Sequence, residues 1–246
     1  KFNYENNLIG SINLINESIK SKIKCFVFTS SMAVYGTNQL PMEENLTPQP
    51  EDPYGIAKFA VEKDLQTAHD LFGMNFIIFR PHNVYGEKQH IGDKYRNVIG
   101  IFMNQAMKKQ PITIFGDGEQ RRAFSYIGGT APIIAKSIFN KEVYNQIINV
   151  GDDQHYSINE IAKMVCEEFG LPFTTPQNIE TRYEVKNAYP SHKKLREYFK
   201  DYKETPLRDG IKKMAEWAKI VGPKEGKKFE NIEITENLPP IWKKKD

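Results

Sequence analysis

Two short runs, Lys24 to Thr29 and Phe76-Ile77-Ile78-Phe79, constrain this chain most, because each stops abruptly in polar residues and a helical pattern separates them. The second run is apolar at every position, so it reads as a strand covered on both faces, the mark of a parallel sheet. Between the runs, Pro53 or Tyr54 opens a periodic stretch that continues to about Phe72. Strand, helix and strand in that order predict an α/β fold whose ligands sit beyond the carboxyl ends of the strands. Both polar runs, Ser30-Ser31 and Arg80 to Asn83, fall at such ends.

The pattern continues on either side. Leu8, Ile9, Ile12, Leu14, Ile15 and Ile19 recur at helical spacing between Tyr4 and Lys20. Pro48, Pro50 and Pro53 mark a loop from Glu43 onward. Downstream, the spacing predicts helices over Asn97 to Lys108, Thr130 to Phe139, Ser191 to Phe199 and Pro206 to Val221. Strands are expected at Ile112 to Phe115, Ala123 to Ile127 and Gln146 to Val150, with a tight turn at Gly116-Asp117-Gly118. Ser157-Ile158-Asn159-Glu160 is a capping box that opens a helix to Phe169. No repeats or low-complexity stretches interrupt this order.

Tyr54-Gly55-Ile56-Ala57-Lys58 carries the clearest chemistry. Residues four apart share a helix face, which puts Lys58 behind Tyr54. A phenol with a pKa of about 10 is a poor base at neutral pH, and a neighbouring ammonium stabilises the phenolate. Tyr54 then becomes usable as a general base or acid. The spacing is common by chance, so its flanks must carry the argument.

A net charge of +3 is too mild to predict a nucleic-acid partner, and Lys243-Lys244-Lys245 reads as a solvated tail. Cys25 and Cys166, the only cysteines, lie in apolar surroundings and are expected to be reduced. No run of eighteen apolar residues and no secretory leader is found, so no membrane partner and a cytoplasmic location are expected. No metal is expected. The chain opens at Lys1 in what reads as the middle of a fold, which predicts a preceding segment.

Taken in order, Asn7-Leu8-Ile9-Gly10, Ser30-Ser31-x-x-Val34-Tyr35-Gly36, Tyr54-x-x-x-Lys58 and Arg80-Pro81-His82-Asn83-Val84-Tyr85-Gly86 are one set of landmarks. Gly116-Asp117-Gly118-x-Gln120-x-Arg122, Arg182, Tyr189 and Thr205-Pro206-Leu207 complete it. The chain thereby resembles the extended short-chain dehydrogenase/reductases that act on nucleotide sugars, most closely the UDP-glucose 4-epimerase branch. That resemblance implies a Rossmann-like doubly wound parallel sheet, lacking its amino-terminal half here, with a smaller α/β substrate-binding domain. Residues 1–96 and 123–151 are expected in the first part, 97–122 and 152–246 in the second.

The resemblance also implies roles. NAD is the implied cofactor and a UDP-sugar the implied substrate, with Tyr54 as acid and base, Lys58 on the nicotinamide ribose and Ser31 on the sugar hydroxyl. Asn6, Asn7, Ser30, Pro81 and His82 are implied near the cofactor. Asn83, Asn97, Val98, Phe115, Arg122, Arg182 and Tyr189 are implied near the substrate, the two arginines because paired donors match paired phosphate oxygens. A homodimer is implied through the helices of Asn6 to Lys20 and Tyr54 to Phe72.

Departures from the family pattern are equally specific. The G-x-x-G-x-x-G turn that cradles a dinucleotide pyrophosphate occurs nowhere in the chain, which predicts poor NAD binding by this segment alone. Met32 and Ala33 stand where 4,6-dehydratases carry acids, which favours epimerisation over dehydration. Ala123 and Gly128-Gly129 replace family acids that cap the next helix, at a cost of about 1 kcal/mol. A 4-keto-sugar reductase and a noncatalytic nucleotide-diphosphate binder are the competing expectations.

Overall fold

The computed structural model describes residues 1–93, 96–173, 177–179 and 185–226. Its chain divides into two compact units, the first formed by Lys1–Val84, Ala123–His155 and Ala188–Thr205, the second by Tyr85–Arg122, Tyr156–Asn187 and Pro206–Asp246.

At the centre of the first unit is a three-stranded parallel sheet in the order Cys25–Thr29, Asn75–Pro81, Gln146–Val150. Successive side chains of a strand point to opposite faces, and the apolar run Phe76 to Phe79 uses both. Phe76 and Ile78 join Ile15, Val61, Leu65 and Ala68, which come from the helices Gly10–Lys20 and Pro53–Phe72. On the opposite face, Ile77 and Phe79 join Val143, Ile148 and Leu195, with Ile133 and Ile134 of the helix Ile127–Lys136 packed against them. Helices cover both faces, so the sheet is doubly wound and Rossmann-like.

The second unit packs the helices Val98–Met107, Ile158–Glu168 and Leu207–Val221 against one another. Its strand Thr113–Phe115 pairs in parallel with Gln177–Ile179. Ser157 and Glu160 form the full reciprocal capping box at the start of Ile158–Glu168.

Several details differ from the sequence pattern. The first helix is not uniform: Glu5–Ile9 is a π-helical stretch between the α-helical Phe2–Tyr4 and Gly10–Lys20. The helix expected at Thr130 to Phe139 spans Ile127–Lys136 and gives way to a 3-10 turn at Ser137–Phe139. Gly128 lies inside its first turn because the Tyr126 ring is packed there, 2.5 Å from where a Cβ would stand. That helix has no side-chain cap. The strand expected at Ala123 to Ile127 is two short pieces, Arg121–Ala123 and Ser125–Tyr126. Segment 188–205, expected with the sugar-binding part, belongs to the first unit because the Met42 N–H donates to the Tyr189 carbonyl, the Ser191 N–H donates to the Met42 carbonyl and Tyr202 reaches Gly151.

Candidate active site

Helix Pro53–Phe72 starts where proline fixes the first turn and Asp52 Oδ1 accepts from the Gly55 N–H at 2.7 Å. A Cβ on Gly55 would lie 2.5 Å from the Ala33 carbonyl oxygen, so the helix start rests directly on the backbone of the 3-10 turn Met32–Tyr35. Ser31 caps that turn by accepting from the Ala33 N–H at 3.1 Å, which leaves its hydroxyl proton to donate.

One turn along the helix, Lys58 Nζ donates to the Thr29 carbonyl at 2.9 Å. It lies 4.8 Å from the Phe28 ring centroid and 5.8 Å from that of Tyr54. Burial lowers the Lys58 pKa. The helix thus gathers a phenol, an ammonium and a hydroxyl at the carboxyl end of Cys25–Thr29. An ammonium has three donors, so Lys58 can also reach ligand hydroxyls.

A further four residues on, Glu62 continues the same helix face but is wholly buried. It accepts from Ser30 Oγ and takes a bidentate pair from Arg80, Nε at 3.0 Å and Nη2 at 2.6 Å. The Arg80 guanidinium stacks 4.7 Å above the Tyr35 ring, and the Tyr35 hydroxyl donates to Asn149 Oδ1 at 2.8 Å. Burial pushes the Tyr35 phenol up to about 12, against the opposing pull of Arg80. Asn149 Nδ2 donates to the carbonyls of Met42 and Ser191. Sequence reasoning missed Glu62 as a member of this network, although the steps from Tyr54 to Lys58 to Glu62 put a carboxylate on the motif's own helix face.

His82, just past the strand Asn75–Pro81, is 2 % exposed, and its Nε2 lies 3.0 Å from Nε2 of the fully buried His192. His192 Nδ1 in turn lies 2.6 Å from Asp153 Oδ1. Burial, reinforced by His192, pushes His82 down to about 3. Nothing in the sequence pattern linked His192 or Asp153 to a site.

The remaining expected residues are placed as follows. Asn6 donates to the Phe2 carbonyl, and Asn7 to the Asn3 carbonyl and Oδ1, both along their own helix. Ser30 and His82, expected at the cofactor, turn their side chains inward to Glu62 and His192. Pro81 closes its strand opposite Val150. Asn83, at φ +37, donates to the Ala123 carbonyl at 2.9 Å. The Tyr189 ring meets His155 edge-on at 4.1 Å. In the second unit, Asn97 precedes Val98 at the start of Val98–Met107 and adopts φ +59 without a capping bond from its side chain. Phe115 ends its strand, and its carbonyl accepts from Gln120 Nε2. Arg122 directs its guanidinium to the backbone carbonyls of Arg121, Val185 and Lys186 rather than leaving it open. Arg182 lies outside the described residues.

Cys25 is half-buried and Cys166 buried, both free thiols, and burial lifts Cys25 to about 11. Among the described residues, no cluster of three or more His, Cys, Asp or Glu could hold a metal, and no helix is long and apolar enough to cross a membrane.

The donors at Tyr54, Lys58 and Ser31 fit the nicotinamide-ribose end of a dinucleotide, since a diol takes bonds from an ammonium and a phenol together. A pyrophosphate calls for a glycine-rich turn, which the sequence does not contain.

A family model described as the NAD dependent epimerase/dehydratase family matches residues 3–151. A protein of Methanocaldococcus jannaschii named "Putative UDP-glucose 4-epimerase" is 35% identical over 215 residues, covering 87% of this chain and 69% of that protein. The crystal structure of UDP-glucose 4-epimerase with UDP-glucose from Thermotoga maritima superposes with a TM-score of 0.80 at 27% identity, over 87% of this chain and 70% of that one. The Thermus thermophilus UDP-glucose 4-epimerase complex with NAD gives 0.79 at 26% identity, over 88% and 70%.

Proposed function

Because the chain belongs to the NAD dependent epimerase/dehydratase family, whose cofactor is NAD, we propose that it carries the acid-base centre of a UDP-sugar 4-epimerase. The observation that carries this reading is the seat of Lys58, bonded to the Thr29 carbonyl and 5.8 Å from the Tyr54 ring centroid. Bound NAD supplies the hydride chemistry at the sugar C4. Tyr54 takes the proton of the 4-hydroxyl and returns it. Lys58 favours the phenolate by its charge and holds the ribose, while the Ser31 hydroxyl donates to the same sugar oxygen.

Dehydration at C5 and C6 needs an additional acid and base. Met32 and Ala33 occupy the 3-10 turn beside Ser31 and offer no carboxylate, which favours epimerisation. In the second unit, Asn97, Val98, Phe115 and Arg122 are proposed nucleotide contacts, with Arg122 exchanging carbonyl partners for phosphate; Arg182, Asn83 and Tyr189 complete the proposed set. Pairing of two copies through exposed Ile9, Leu14, Ile56 and Leu71 belongs to the same proposal; sedimentation at two concentrations tests it.

Turnover is tested by incubating the protein with NAD and UDP-glucose and measuring UDP-galactose. Tyr54→Phe is expected to lower the rate by at least about 100-fold; an unchanged rate would sink the mechanism. Stoichiometric consumption of NADPH would instead support a reductase, and UDP binding without turnover a noncatalytic binder.

A further inference from the structure

We propose that Glu62 and Arg80 are positioning residues for Ser31: their buried ion pair clamps the backbone on both sides of the Ser31 hydroxyl and so sets its place against Tyr54. The inference rests on the reading above for what Ser31 does there, and on the contacts alone for how it is held.

Glu62 and Arg80 are 0 % and 1 % exposed. Taking a carboxylate and a guanidinium out of water is costly, and two well-packed apolar residues in their place are often as stable or more so. Cohesion alone therefore does not account for the pair. What apolar residues could not supply is direction. The Glu62 carboxylate accepts from three donors, Nε and Nη2 of Arg80 and the Ser30 hydroxyl. The two bonds from Arg80 fix the plane of the guanidinium, whose face lies 4.7 Å from the Tyr35 ring centroid. Ser30 is the residue before Ser31, and Tyr35 closes the 3-10 turn Met32–Tyr35 that Ser31 caps. One ion pair thus holds the chain on either side of the hydroxyl.

Both sides are anchored a second time. The Ser30 N–H donates to the Phe79 carbonyl at 2.7 Å, and the Tyr35 hydroxyl donates to Asn149 Oδ1 at 2.8 Å. Asn149 stands opposite Arg80 in the sheet and gives its Nδ2 hydrogens to the carbonyls of Met42 and Ser191. Between the anchors, the Ala33 carbonyl lies against Gly55 at the start of the helix Pro53–Phe72, which carries Tyr54, Lys58 and Glu62 alike. The Thr29 carbonyl, just before Ser30, is the acceptor of Lys58 Nζ, so the same anchor serves the ammonium. Ser31 itself is only half-buried, and its side chain is tied locally to the Ala33 N–H.

Amide exchange of the full chain, read residue by residue by NMR, tests the clamp. In Glu62→Leu/Arg80→Leu the buried charges are gone together and stability is largely kept. Protection of the Ala33 and Val34 amides should nevertheless fall at least about tenfold relative to the amides of Phe76 to Phe79. A role in stability alone would change all of these together, and that outcome would overturn the proposal. If the double variant does not fold, the wild type decides: the Arg80 Nε hydrogen and the Ala33 amide should have protection factors within about tenfold of each other. An Ala33 amide less protected than that would mean that the turn moves without the clamp, and the proposal would fall. Where turnover is present, Ser31→Ala should lower kcat far less in the double variant than in the wild type, because the hydroxyl is already out of place; an equal loss in both would overturn the proposal. A wild type without turnover would refute the epimerase reading and leave amide exchange to decide this one.

Discussion

The two neighbouring strand ends of the first unit hold polar groups under opposite conditions. At the end of Cys25–Thr29, Ser31, Tyr54 and Lys58 are half-buried, and the Ser31 hydroxyl and the Lys58 ammonium keep donors for a ligand. At the end of Asn75–Pro81, Arg80 and His82 are almost completely buried, Arg80 against Glu62 and His82 against His192. A charge removed from water needs a partner, whereas a half-exposed one can wait for a substrate. In the proposed function the first end does the chemistry, and the second holds it in place.

The sharpest way to break this contrast is at Arg80. Arg80→Leu would leave the Glu62 carboxylate buried without its partner, and about 3–5 kcal/mol of stability should be lost in urea unfolding. Adding Glu62→Leu should restore a large part of it. A variant as stable as the wild type would mean that the buried pair is not structural. Next in size is Gly151→Ala, whose methyl would collide with Ser125 and His82 at a residue with φ +146. It should cost about 2 kcal/mol, read in urea unfolding.

Adjacent aspartates offer a pH test. Burial raises Asp152 from its usual 3.8 to about 6, although the Tyr202 hydrogen bond opposes it. The folded protein then keeps that proton longer than the unfolded chain, so this group's contribution to stability falls as pH rises from 3.8 to about 6. Burial pushes Asp153 the same way, but bonds from His192 and Arg196 outweigh it and hold the carboxyl at about 2. Its contribution is present above 3.8 and is lost as pH falls toward 2. Asp152→Asn should remove the first slope and Asp153→Asn the second, read from melting temperatures against pH. The smallest effect should come from Tyr54→Phe, whose stability should differ from the wild type by less than about 1 kcal/mol while turnover collapses.

How much of this could be read in advance depended on distance along the chain. Gln146–Val150, Pro53–Phe72 and the Ser157 capping box stand where spacing placed them, because each is set by residues within a few turns. The Tyr54 to Lys58 step is equally local. The Gly128-Gly129 pair misled by two or three residues, since packing against Tyr126 overrode the usual reluctance of glycine to start a helix. The family resemblance implied Ser30 near the cofactor. Its inward turn depends on Glu62, 32 residues away.

The sequence by itself determined the order of strands and helices, the parallel sheet and the step from Tyr54 to Lys58, because apolar periodicity and four-residue steps are properties of neighbours. Only the tertiary structure decided which polar residues are spent inside the protein. His82 meets His192 across 110 residues. Such a contact arises when the chain closes on itself and water is excluded, and burial then decides which groups must pair and where a proton can stay.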